Sequence, residues 1–89
     1  MNVIIPTSLR QHTAGVSHVT VEGESVETAL NDLVGKHPDL RAHLFDPSGI
    51  LVSHLNVFVN DENIRDLDHG ATTLGSSDEI LLVPAIAGG

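Results

Sequence analysis

The residues of this chain best suited to chemistry are Gly88 and Gly89, which follow an apolar run, Glu79-Ile80-Leu81-Leu82-Val83, and a short tail, Pro84-Ala85-Ile86-Ala87. Glycine backbone has no Cβ, so a carboxylate carried on it can be threaded into a narrow enzyme channel. The α-carboxylate of Gly89 is therefore the expected reactive group, with Gly88, Ala87 and Ile86 as the thread that presents it. Other constellations offer less. Six histidines (His12, His18, His37, His43, His54 and His69) form no i, i+4 pair and no His-x-His, so no metal site is expected. Asp61-Glu62 and Asp78-Glu79 fall at turns beside strands, where carboxylates face water, and neither pair is assigned catalysis. With no cysteine the chain has no disulfide, no Cys-based zinc site and no thiol nucleophile.

The elements that must hold the tail follow from periodicity. Val3 to Ile5 reads as a short strand ended by Pro6, and Thr7 to Gly15 as a turn. Residues 16–23 alternate as a second strand with Val19 and Val21 on one face, which makes a hairpin with the first. Ser25 is a good N-cap, Glu27 suits the positive end of a helix dipole, and Val26, Ala29, Leu30, Leu33 and Val34 form an amphipathic stripe. Gly35 is expected to close this helix in a left-handed conformation before Pro38. Leu40 and Leu44 suggest one or two further helical turns, and Asp46-Pro47-Ser48-Gly49 a loop. Leu55 to Asn60 is the clearest strand, with Leu55, Val57 and Val59 on one face and Phe58 on the other. Asn60 to Asn63 reads as a turn, residues 66–77 as a polar stretch, and Glu79 to Val83 as the last strand.

An 89-residue chain is one domain too small to enclose a large cofactor, and with Phe45 and Phe58 as its only aromatics its core is aliphatic. Four basic residues against twelve acidic ones give a formal charge of −8, which excludes binding to a phosphate backbone and favours a basic groove on a partner protein. No signal peptide or membrane-length apolar run is present, so the expected location is cytoplasmic.

A hairpin, a helix and returning strands suit an α+β fold: a mixed four- to five-stranded sheet, first and last strands parallel at its centre, with one main helix on one face. Residues 1–83 would form the domain and 84–89 a flexible tail. With Val59-Asn60-Asp61, the Asp78-Glu79 turn and the Pro-Ala-Ile-Ala-Gly-Gly tail, the chain resembles the β-grasp, ubiquitin-like sulfur carriers. The resemblance implies a carrier rather than an enzyme, with no cofactor of its own. An adenylyltransferase of the ubiquitin-activating type, using ATP, would activate Gly89, and a sulfur donor would convert it to a thiocarboxylate. The tail and the Leu55 to Asp61 segment look closest to carriers of cysteine biosynthesis, which serve a pyridoxal-phosphate cysteine synthase with a metalloprotease acting afterwards; segment 38–52 is long for a thiamine-type carrier. A molybdopterin synthase small subunit, a secondary-metabolite sulfur donor and a ubiquitin-like modifier are the alternatives.

The face of the sheet away from the helix would carry Phe58, Leu81 and Val83. These side chains either form a partner-docking patch or lie beneath segment 38–52.

Overall fold

Ser25 begins the main helix as its chemistry requires. In the computed structural model, which describes residues 1–84, its hydroxyl accepts the Thr28 N–H at 3.3 Å. The Thr28 hydroxyl accepts the Ser25 N–H in return at 3.0 Å, closing a reciprocal cap. Helix α1 runs Val26–Lys36 and buries Val26, Ala29, Leu30, Leu33 and Val34, the predicted stripe. Its end differs from expectation, because Gly35 stays helical and the cap is His37, at φ −132° and ψ 78°. Pro38 is the reason, since a proline ring expels the preceding residue from the α region.

Around α1 the sheet is assembled from β1 (Asn2–Ile4), β2 (His18–Thr20), β3 (Leu55–Val59), β4 (Glu62–Asn63) and β5 (Glu79–Pro84), with a short helix α2 (Arg41–Leu44) between α1 and β3. The strand order is β2-β1-β5-β3-β4. The central pair, β1 and β5, is parallel with Val3 opposite Ile80, while β3 lies antiparallel to β5 with Leu55 opposite Pro84 and Phe58 opposite Leu81. A parallel pair needs a long crossover, and the intervening chain with α1 supplies it. Alternation then sends Val3, Val57, Val59, Ile80 and Leu82 into the core beneath α1, all at most 7% exposed.

Several boundaries depart from the sequence reading. The expected turn at 7–15 is a 3-10 helix, Thr7–Thr13, that buries Leu9 and Thr13; the Thr13 hydroxyl is satisfied by donating to the Val16 carbonyl at 2.8 Å. The second strand is only His18–Thr20. Val16 stands 42% exposed, and the Glu22 N–H leaves the ladder to donate to Asp32 Oδ2 at 2.9 Å. Within the expected 60–63 turn, Glu62 and Asn63 make a two-residue strand on Phe58 and Val59. The polar stretch 66–77 is not wholly surface: Thr72 and Leu74 are buried, and the Val26 and Leu74 amides bond Thr72 and Glu24 carbonyls.

Segment 38–52 packs on the helix side. Leu40 and Leu44 are fully buried and Phe45 is 4% exposed, with Leu51 and Val52 resting against the same core.

Candidate functional site

Strand β5 precedes the tail. It enters the sheet at Glu79 between β1 and β3 and ends at Pro84, opposite Leu55, so the last described residue lies at the middle of the sheet rather than at an edge. The tail residues themselves, Ile86, Ala87, Gly88 and Gly89, lie outside the described residues.

The start of β5 is fixed by the Val59-Asn60-Asp61 segment. Asn60 adopts φ 57°, a left-handed conformation that asparagine tolerates better than most residues. From there its amide N–H donates to the Glu79 carbonyl at 2.8 Å. Its side chain accepts the Glu79 N–H at 3.2 Å and donates to Asp78 Oδ1 at 3.2 Å. Asp78 also accepts the Gly75 N–H at 2.7 Å. That backbone hydrogen bond, followed by the Asn60 contact, holds the Asp78 carboxyl below the ordinary aspartate range. The acidic pair at 78–79 thus anchors a turn, and Asp61 and Glu62 are exposed beside it.

On the face away from α1, one row crosses the sheet: His18, Ile4, Leu81, Phe58 and Asn63 stand opposite one another in adjacent strands. Ile4, Leu81 and Phe58 are half-buried, and Val83, one alternation beyond Leu81, is 38% exposed. Since segment 38–52 sits on the core side, it does not cover Phe58, Leu81 or Val83. The geometry is an apolar strip about three strands wide with β5 as its axis.

Two cationic side chains border the exit. Arg10 Nε donates to the Ile5 carbonyl at 3.1 Å. Arg65 donates to Asn56 Oδ1 at 2.7 Å and to the carbonyls of Ser53 and Leu55. Neither was singled out from sequence, because nothing local marks which arginines a sheet will gather. A cleft of about 280 Å³ beside the start of β3 is lined by Phe45, Leu51, Val52, Leu55, Ile64 and Arg65 among others. The histidines are scattered except for His12 and His43, whose rings meet at 4.3 Å between centroids. Among the described residues no three His, Cys, Asp or Glu side chains are grouped to hold a metal ion, and no helix is long and apolar enough to cross a membrane.

The model of the ThiS family matches residues 3–89. The chain is 36% identical over 91 residues to sulfur carrier protein CysO of Mycobacterium tuberculosis, covering all of this chain and 98% of that one. It is 38% identical over 76 residues to small archaeal modifier protein 1 of Haloferax volcanii, covering 80% of this chain and 78% of that one. Among solved structures, the crystal structure of the BexX/CysO complex of Amycolatopsis orientalis contains a chain that superposes with a TM-score of 0.90 at 34% identity, covering 99% of this chain and 98% of that one.

Proposed function

The chain belongs to the ThiS family, and from that membership we infer that it is a sulfur carrier with the β-grasp fold, loaded at Gly89. The observation that supports this most is the full-length likeness to CysO, a sulfur carrier by name, combined with a central strand, β5, that ends at Pro84 five residues before Gly89 in the sequence. The carrier acts with a partner enzyme, as its structural relative is found with BexX.

In the proposed cycle the Gly89 carboxylate attacks the α-phosphate of ATP on an adenylyltransferase of the ubiquitin-activating type, releasing pyrophosphate. Hydrosulfide, as the sulfide-level sulfur donor, then attacks the acyl carbon and expels AMP, leaving a thiocarboxylate. Each step has a physical reason. A free carboxylate is a poor electrophile, AMP is a leaving group that the carboxylate lacks, and the chain has no cysteine to hold the sulfur elsewhere. Gly88 and Gly89 admit the enzyme to the backbone, and Ile86 and Ala87 give the thread a small apolar grip. No cofactor belongs to the carrier in this scheme; ATP is consumed by its partner.

The proposed acceptor is a pyridoxal-phosphate cysteine synthase, after which a metalloprotease releases the new cysteine from Gly89. The preference for this route over molybdopterin synthesis or secondary metabolism rests on the CysO likeness. A second reading, attachment to lysines of other proteins as a modifier, is favoured by the likeness to small archaeal modifier protein 1. Offering the thiocarboxylated chain to a cysteine synthase with an activated serine tests the choice: cysteine joined to Gly89 supports the pathway, and recovery of unchanged thiocarboxylate beside isopeptide adducts in cell extract supports the modifier.

A further inference from the structure

Of the four cationic side chains in a molecule of charge −8, two are held at the end of the sheet from which the tail departs. β1 and β5 run parallel, so Ile5, just beyond β1, lies toward the end at which β5 exits. β3 is antiparallel, so its first residue, Leu55, reaches the same end opposite Pro84. Arg10 is tied to the Ile5 carbonyl and Arg65 to the carbonyls of Ser53 and Leu55. The two guanidinium groups therefore stand on opposite sides of β5. Neither makes an ion pair: among the described residues the salt bridge is Lys36 with Asp32, at 3.1 Å. Lys36 also donates to the Thr20 carbonyl, at the far end of the sheet where Thr20 faces Asn2 and Asn2 faces Glu79. The carboxylates of Asp61, Glu62, Asp78 and Glu79 gather at that far end too, around Asn60.

We propose that Arg10 and Arg65 form a two-point cationic rim at the tail's exit, and that its occupant is a pair of carboxylates at the mouth of the partner enzyme's tail channel. Spacing selects this occupant. Arg10 and Arg65 lie on 3-10 turns, but the carbonyls of Ile5 and Leu55 that hold them sit at β1 and β3 on either side of β5, strands roughly 10 Å apart at two strand spacings, too wide for one phosphate or one carboxylate to bridge. Two separate acidic side chains on a protein rim fit. Backbone carbonyls hold both guanidinium groups without neutralising them, so their charge is preorganised for a partner. The opposite polarity of the two sheet ends also fixes direction: the rim meets acid at the channel, and the Asp78-Glu79 end meets base. Such rim charges act mainly on the rate and orientation of encounter.

The inference rests on the carrier reading, and one set of measurements separates the two. Thiocarboxylation of the full chain by its adenylyltransferase is followed as a function of carrier concentration for the parent, Arg10→Gln, Arg65→Gln and Lys36→Gln. Each substitution removes one positive charge and keeps a hydrogen-bond donor. Arg10→Gln and Arg65→Gln are expected to raise KM about 2- to 5-fold each at low salt with kcat unchanged, as exposed ion pairs allow, and the difference should fade at 0.5 M salt, an approximate value at which screening is short-ranged. Lys36→Gln should leave KM at the parental value. Arg10 has a single anchoring hydrogen bond, so its variant keeps the question open to a clear answer even if Arg65→Gln loses stability in a thermal melt. Equal KM for Arg10→Gln and Lys36→Gln, or an effect on kcat alone, overturns the rim. Failure of the parent chain to be thiocarboxylated overturns the carrier reading instead.

Discussion

Asp32 and Asp78 show how individual carboxylates are used for order rather than chemistry. The Glu22 N–H at 2.9 Å, and then Lys36, hold the Asp32 carboxyl below its ordinary range, as the Gly75 N–H and Asn60 do for Asp78. A depressed folded-state value means that the charged form is favoured by folding. Its stabilisation is present above the unfolded value, about 3.9 for aspartate, and is lost as pH falls through the lower folded values. Stability to urea should therefore be level from neutral pH to about 5 and fall below about 4, and the Asp32→Asn, Asp78→Asn double variant should fall less steeply than the parent. Equal slopes would remove these two residues from the account. Gly23 is a second residue with a definite geometric role: a Cβ there would stand 2.5 Å from the Ala29 nitrogen and 2.7 Å from Thr28 Oγ1. Gly23→Ala should destabilise the fold by about 1–3 kcal/mol, read from a urea melt, because the helix start must move to admit a methyl group. The sequence shows a glycine before the cap but not that α1 starts against it, since that approach is a product of the tertiary fold.

Elements with strong periodicity were legible and those fixed by neighbours were not. The α1 stripe and the inward faces of β3 and β5 emerged as predicted, because burial on one side imposes the period. Leu30→Ala and Leu33→Ala, each removing a fully buried side chain, should cost about 2–5 kcal/mol. For a domain of this size that is enough to populate unfolded chain at room temperature, which circular dichroism would report. The 3-10 helix at Thr7–Thr13 and the buried Thr72 and Leu74 were hidden in polar surroundings, where single apolar residues carry no period. The exposed half of the sheet belongs at this scale as well. Phe58→Ala or Val83→Ala should weaken binding to the adenylyltransferase by more than ~1 kcal/mol, as central interface side chains do. Their effect on stability should be smaller, since neither side chain joins the core beneath α1. Calorimetric titration beside a melt gives both quantities, and the reverse order would move the docking surface elsewhere.

At the scale of the whole molecule, the mixed sheet separates two jobs. The helix side, with segment 38–52 packed on it, holds the core, while β5 at the sheet's centre links an apolar open face to the residues that follow Pro84. The class of function was legible from the tail and strand order together, because a reactive carboxylate needs a presenting strand more than it needs a pocket. The arrangement of Arg10 and Arg65 was not, because the parallel pairing of β1 with β5 brings distant segments to one end. In the proposed cycle sulfur is carried on the Gly89 carboxyl. The most direct test is intact and fragment mass spectrometry after incubation with the adenylyltransferase, ATP and a sulfur donor, with a variant lacking Gly88 and Gly89 alongside. Exchange of one oxygen for sulfur is expected, mapped to Gly89 and missing from the truncated variant although that variant melts like the parent. A sulfur atom mapped to any other residue, or found equally on the truncated chain, would contradict it.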